Sequence, residues 1–357
     1  MKILVVGAGA VGCYVGGQLA EAGHAVTLIG RDRVTRAIQN NGLIIRSARG
    51  AFQDRVIHGL SLSSSITEAL KVNPQFDLAL FTMKAYDTAA SAQEWQDQGG
   101  PKIPIVCLQN GIGNEEIVDE LIGPGIAVAA TMTTAVSMDQ PGVVVEETRR
   151  GIALAADSPG YPAAAEAFGS LPITVQTVQS GDSLKWSKLP LNLIGNATSA
   201  ILDMRPSEIA RDRGLFAVEI QALREAVWIM ELQSIKATNL PGAPAAILIG
   251  LVRSLPPLVL QPLLRAQFGS ARGDKLPSLA LALRSGATRT EVAWLNGAVA
   301  QAAKNLSRRT PINHALALLV SDIASGRVPW EMYRHKPDVL MAAMRAAQGN
   351  ARWRYGE

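Results

Sequence analysis

The sequence predicts an α/β protein in which a parallel-sheet half is followed by a mainly α-helical half. From residue 1 to about 178, short apolar runs bounded by turn residues alternate with helix-like patterns. A glycine-rich turn separates the first run from the first helical pattern, and strand-like runs stop after about Gly181. At 357 residues the chain exceeds what one compact core usually holds, so two domains are expected, 1–180 and 181–357. Hydrophobic residues at 48% and charged residues at 18% supply enough apolar side chains for two cores and exclude a disordered chain.

In chain order, the candidate strands are Lys2–Val6, Ala25–Ile29, Leu78–Phe81, Ile105–Cys107, 126–130 and 152–155. Between the first two, residues 11–22 are small and apolar and end at Gly23, the pattern of a helix with a glycine stop. In the second half, Ala-, Leu- and Arg-rich stretches at 182–203, 208–236, 289–306 and 312–325 repeat apolar residues at three- and four-residue steps, as packed helices require. Residues 237–275 are the least regular part, and Pro241, Pro244, Pro256, Pro257 and Pro262 are expected to break any long helix there.

The net charge is +4, and the basic residues are scattered rather than gathered, which suits a small anionic ligand and argues against a nucleic-acid partner. Cys13 and Cys107, the two cysteines, lie in apolar runs, which is the usage of a reducing compartment; they read as packing residues. Met1 to Val6 runs straight into the glycine turn without the length or cleavage site of a signal peptide. The longest apolar stretch, 243–252, is too short to span a bilayer. The expected protein is cytoplasmic, with no membrane partner. His24, His58, His314 and His335 are widely separated and show no ligand spacing, so no metal is expected.

The segment Gly7-Ala8-Gly9-Ala10-Val11-Gly12 fits G-x-G-x-x-G directly after a strand and directly before a helix. Gly7 permits the tight turn, Gly9 lets the backbone approach a pyrophosphate, and Gly12 lets helix and strand pack closely. The helix N-terminus offers the phosphates free N–H groups. The first half is therefore expected to be a Rossmann-like dinucleotide-binding domain. At the end of the second strand stands Arg31 rather than the acid typical of NAD sites. A guanidinium there can pair with a 2′-phosphate, so the expected cofactor is NADPH; Asp32, turned inward, would instead hold a ribose diol.

Lys188, Asn192 and Asn196 follow at four-residue steps, so on a helix they share one face. A lysine and two amides in an otherwise apolar segment suit a lined cleft, because buried amides need hydrogen-bond partners that a ligand can supply. An exposed polar stripe is the alternative.

Three further stretches, Thr82-Met83-Lys84-Ala85-Tyr86, Leu108-Gln109-Asn110-Gly111-Ile112-Gly113 and Leu184-Lys185-Trp186-Ser187-Lys188-Leu189, together with Arg289-Thr290-Glu291-Val292 and Leu295-Asn296-Gly297, resemble the ketopantoate reductases in order, spacing and domain placement. The resemblance spans most of the chain. It implies that Lys188 is the proton donor, that Glu291 works beside it, that Asn192 and Asn196 hold the substrate or its hydroxyl, and that Ser278 binds the substrate carboxylate. It also implies that Lys84 and Asn110 line the cofactor side of the cleft. Lys185, three positions before Lys188, is the competing lysine, and the Trp-x-Lys arrangement around Trp186 favours Lys188.

The implied reaction is reduction of a small 2-oxo acid to the 2-hydroxy acid, 2-dehydropantoate first, as in pantothenate biosynthesis. Two departures bear on the substrate. Members often carry an acid two residues after the glutamate and an aspartate shortly after the serine; here stand Ala293 and the run Leu279-Ala280-Leu281-Ala282. The irregular 237–275 segment also looks longer than in compact members, and would reshape the pocket or cover a dimer surface. Reduction of another 2-oxo acid, and an NADPH-sensing protein without catalysis, stay open as alternatives. A helical domain with apolar faces permits a homodimer without requiring one.

Overall fold

A computed structural model describes residues 1–48, 50–271 and 275–349. The chain divides into two compact units: Met1–Lys185 with Thr238–Pro244, and Trp186–Ala237 with Ala245–Glu357.

In the first unit the order is β1 (Lys2–Val6), α1 (Ala10–Glu21), β2 (Ala25–Ile29), α2 (Asp32–Asn41), β3 (Leu43–Ser47), β4 (Arg55–Ile57), β5 (Ser61–Ser63), α3 (Ile66–Val72) and β6 (Leu78–Phe81). It continues with α4 (Thr88–Asp97), β7 (Ile105–Cys107), α5 (Asn114–Leu121), β8 (Ala127–Met132), β9 (Ala135–Gln140), β10 (Val143–Thr148), β11 (Gly151–Ala155), α6 (Tyr161–Gly169) and β12 (Thr174–Val178). The α/β reading holds, and α1 ends as expected, with Gly23 left-handed at φ 91°.

The main sheet has the order β12-β11-β8-β7-β6-β1-β2-β5. Strands β5 to β8 in that row are parallel, β11 is antiparallel to β8, and β12 is parallel to β11. Alternation along each strand splits the core in two. Ile3, Val5, Leu78, Leu80, Val106 and Val128 join one apolar cluster, while Leu4, Val6, Ala79, Phe81, Ile105, Cys107 and Ala127 join the other. Each fully buried large apolar side chain contributes about 1.5–3 kcal/mol.

The sheet is not wholly parallel, and a second sheet, β4-β3-β10-β9, was not expected from the sequence. It packs against α1. Buried Glu146 on β10 is kept there by Tyr14 Oη, which donates to it at 2.5 Å, and by Arg149 Nε at 2.9 Å. The segment 238–244 belongs with this unit because Thr133 Oγ1 donates to the Pro241 carbonyl at 2.7 Å and Gln176 Nε2 to that of Asn239 at 2.8 Å.

Helix α7 (Gly181–Leu193) opens the helical half, followed by α8 (Ala197–Leu202), α9 (Pro206–Arg211), α10 (Arg213–Leu232), α11 (Ala245–Ser254), α12 (Pro257–Ala271), α13 (Ser278–Arg284), α14 (Asn296–Asn305), α15 (Pro311–Ala324) and α16 (Pro337–Gly349). The second unit is built around α10, which starts where Asp212 accepts from Leu215 N at 2.9 Å. Its Leu215, Phe216, Ile220, Leu223, Val227 and Met230 are buried at helical spacing.

Four helical expectations need correction, among them 289–306, which is a 3-10 turn over Glu291–Trp294 followed by α14. The stretch 182–203 is two helices, because Gly195 adopts φ 66° and the chain turns at 194–196. The stretch 208–236 is likewise split, by the Asp212 cap. The prolines of 237–275 do not exclude a long helix: Pro257 opens α12, where no N–H partner is needed, and Pro262 lies within it. The carbonyl that Pro262 leaves without a helical donor belongs to Leu258, an exposed residue that water can reach. Residues 272–274 of that segment lie outside the described residues.

Candidate active site

The glycine turn of the first unit is held from three sides. The N–H groups of Gly7 and Ala8 donate to the Ile29 carbonyl at 3.1 and 2.8 Å. Thr82 Oγ1 donates to the carbonyls of Val6 and Gly7 at 3.0 and 2.8 Å. Gly7 has φ 115°, and a Cβ there would lie 2.6 Å from Met83 N. A Cβ at Gly12 would lie 2.0 Å from the Gly7 carbonyl oxygen. At Gly9, by contrast, a Cβ would meet no protein atom within 4 Å. That open side adjoins the first turn of α1, formed by Ala10, Val11 and Gly12, which has no side-chain cap and no acidic residue. The turn fits a dinucleotide pyrophosphate.

Four of the expected positions then fall on one edge. Arg31 follows β2, the glycine turn follows β1, Lys84 follows β6 by three residues, and Asn110 follows β7 by three. These strands are adjacent and parallel in the order β7-β6-β1-β2, so residues nearly eighty apart in sequence leave the same carboxyl end of the sheet. Arg31 is exposed at the N-cap of α2. Asp32, the first residue of that helix, is engaged by Arg36 at 3.0 Å.

Sequence reasoning missed the groups that fix the Asn110 loop. Thr88 Oγ1 donates to Asn114 Oδ1 at 2.9 Å and accepts from Gln109 Nε2 at 3.0 Å. Asn114 Nδ2 reaches the Asn110 carbonyl at 3.4 Å. Lys185 is 6% exposed, and its ammonium donates to the carbonyls of Cys107 and Gln109 at 2.9 and 3.0 Å and lies 2.7 Å from Glu115 Oε1. Burial pushes the Glu115 carboxyl above its ordinary range, although Lys185 opposes the shift. Gln109 lies within the Leu108-Gln109-Asn110-Gly111-Ile112-Gly113 stretch, whereas Thr88 and Asn114 carry no signal in the sequence beyond their neighbourhood.

In the second unit, Lys188 and Asn192 are half-buried on α7, with Pro190 between them. Asn196 is not on the same helix. It caps α8, so the predicted common face is broken at Gly195, and the buried Glu219 of α10 holds that break by accepting from Gly195 N at 2.7 Å and from Thr198 Oγ1. Asn196 stays close to Asn192 all the same: its Nδ2 donates to the Asn192 carbonyl at 3.1 Å, and its Oδ1 accepts from Leu279 N at 3.3 Å. Asn192, Asn196 and the start of α13, where Ser278 is exposed, are thereby joined.

The far end of α13 is tied to α8 as well. Asp203, left-handed at φ 53°, has a fully buried carboxylate that accepts from Arg284 Nε at 2.6 Å and Arg334 Nε at 2.8 Å. Burial would raise this carboxyl, but the two guanidinium groups prevail and hold it below its ordinary range. Glu291 is buried on a separate support, a 3-10 turn over Glu291–Trp294 that packs on α14 and α15. The N-terminus of α15 is anchored by buried Glu225, which accepts from Ile312 N, Asn313 N and Asn313 Nδ2 at 3.0, 2.9 and 2.8 Å. Among the described residues, no helix is long and apolar enough to cross a membrane.

Residues 3–157 match the family profile described as Ketopantoate reductase PanE/ApbA, and residues 182–324 match that of its C-terminal domain. The chain belongs to the ketopantoate reductase family. A 2-dehydropantoate 2-reductase of Pyrococcus horikoshii is 28% identical over 90% of this chain and 96% of its own length. The crystal structure of a PanE/ApbA family ketopantoate reductase from Ralstonia eutropha JMP134 superposes with a TM-score of 0.76 at 28% identity, covering 92% of this chain and 99% of that one. D-mandelate dehydrogenase with NADH and anilino(oxo)acetate shares the fold, with a TM-score of 0.74 at 20% identity over 91% and 99% of the two chains. As a ketopantoate reductase family member the protein is a dinucleotide-dependent oxidoreductase.

Proposed function

We propose that the protein reduces 2-dehydropantoate, or a closely related 2-oxo acid, to the 2-hydroxy acid with NADPH, and that Lys188 donates the proton. Residues 1–180 serve the cofactor, and 181–357 serve the substrate and the proton. The observation that carries the reading is the alignment of Arg31, the glycine turn, Lys84 and Asn110 along one parallel sheet edge. Arg31 is exposed while Asp32 is already engaged by Arg36, which favours a 2′-phosphate over a bare ribose diol. The Pyrococcus relative's name supports the substrate.

NADPH, held by the glycine turn, Arg31, Lys84 and Asn110, would supply the hydride for the carbonyl carbon. The Lys188 ammonium donates a proton to the carbonyl oxygen and stabilises the negative charge that develops there, then recovers a proton from water. Glu291 orients that ammonium. Ser278 receives the substrate carboxylate, while Asn192 and Asn196 hold the substrate and the positions of α7 and α13 around it.

A second reading, reduction of a different 2-oxo acid, is favoured by half-buried Ala282 and exposed Ala293, apolar positions where family members often carry acids. NADPH oxidation followed by absorbance, with 2-dehydropantoate beside a panel of simpler 2-oxo acids and with NADH as the alternative reductant, separates the readings. Turnover of 2-dehydropantoate with NADPH far above the rest is expected. Faster turnover of another acid transfers the activity to that substrate. Tight NADPH binding without turnover of any carbonyl would instead mark a sensor.

The protein is cytoplasmic in this reading, and its partners are the cofactor and the small acid.

A further inference from the structure

Two lysines, Lys185 and Lys188, stand three residues apart on α7. Lys185 is buried and spends its ammonium on two backbone carbonyls and a carboxylate. A buried ammonium in that position fixes what it touches, because moving either carbonyl leaves a charged donor without a partner.

What it touches is the loop that carries Asn110. That loop contains left-handed Gly111 and Gly113, at φ 93° and 100°, so its own backbone gives it little stiffness. The carbonyls of Cys107 and Gln109 are held by Lys185, that of Asn110 by Asn114, and the Gln109 side chain by Thr88. Each tie comes from outside the loop.

Along the sheet edge, Arg31 marks the 2′-phosphate end and the glycine turn marks the pyrophosphate. Asn110 leaves β7, two strands beyond β1, roughly 10 Å further at a strand spacing of about 4.8 Å. That displacement carries Asn110 past the pyrophosphate to the nicotinamide half.

We infer that Lys185, paired with Glu115, is a positioning residue that sets the Gln109–Asn110 backbone for the nicotinamide end of the dinucleotide. The inference rests on the proposed NADPH reading. Lys185→Met is expected to fold, since Glu115, which burial already pushes toward its neutral form, can take up a proton once the ammonium is gone.

The test is equilibrium binding to two ligands, NADPH and 2′-phospho-ADP-ribose, which lacks the nicotinamide. Lys185→Met should raise the Kd for NADPH about tenfold and leave that for the truncated ligand within about twofold. Thr88→Val, which removes another tie to the same loop and leaves the buried ion pair intact, should show the same pattern at about threefold, and it decides the matter if the methionine variant does not fold. Equal weakening of both ligands reduces Lys185 to a general structural residue and overturns the inference. Unchanged binding of both overturns it too. Failure of the unaltered protein to bind either ligand removes the cofactor assignment itself, and the inference with it.

Discussion

The two units carry their candidate functional residues by different means. In the first, the backbone makes the site: a turn of three glycines, the open ends of parallel strands, and carbonyls pinned by Thr82 and Lys185. In the second, side chains make it, and they sit on helix ends held by three buried carboxylates: Glu219 at the α7–α8 break, Asp203 between α8 and α13, and Glu225 under α15. A backbone site is sensitive to a single added carbon. A side-chain site held by buried charges is sensitive to pH.

The largest expected effects lie in the glycine turn. Gly12→Ala forces a Cβ against the Gly7 carbonyl, and should lower Tm and abolish measurable NADPH binding together. Gly9→Ala meets no protein atom, so it should keep the wild-type Tm and yet weaken NADPH binding at least tenfold, as read by calorimetry and fluorescence titration. Wild-type NADPH affinity in Gly9→Ala would mean that no ligand approaches that side of the turn. Next in size is Arg31→Ala, which should lower the preference for NADPH over NADH by roughly 10- to 100-fold, the loss expected for charge-assisted hydrogen bonds to a phosphate. An unchanged preference would return the ribose end to Asp32.

The buried carboxylates of the second unit should respond to pH in opposite senses. Burial pushes Glu225 up to about 7 despite its three N–H donors. The folded protein then binds a proton that the unfolded chain has released, so stability falls as pH rises from the ordinary carboxylate range to about 7. Comparing wild type with Glu225→Gln by thermal unfolding across that window should remove a slope totalling roughly 3 kcal/mol. Asp203 is held below its ordinary range, so its contribution is present at neutral pH and disappears as pH falls through its lowered value. Asp203→Ala should cost about 2 kcal/mol at pH 7, moderated because Arg284 and Arg334 are half-exposed and water can take up their charge. Parallel pH profiles for these two variants would break the contrast between the carboxylates.

Legibility in the sequence follows the same division. Strands β1, β2, β6 and β7 and helix α1 were readable because they are local apolar runs with turn residues at their ends, and the glycine turn adds its own spacing. The small sheet escaped because its strands are short or polar. β4 has three residues, β9 ends in Asp139 and Gln140, and β10 carries Glu146, whose burial depends on Tyr14, 132 residues away. In the second unit, the four-residue spacing of Lys188, Asn192 and Asn196 suggested one helix face, but Gly195 and Glu219 end that helix. The partner of Asn196, at Leu279, lies 83 residues on, and no local pattern announces such a pairing. Roles in this half came from resemblance to the family, whereas those of the glycine turn followed from the residues themselves.

The measurement that bears most directly on the proposed chemistry is NADPH oxidation with 2-dehydropantoate by wild type and Lys188→Ala, with NADPH binding titrated alongside. A kcat lower by roughly a thousandfold, with the NADPH Kd within about twofold, is expected from loss of a general acid. Wild-type turnover in Lys188→Ala would contradict Lys188 as the proton donor.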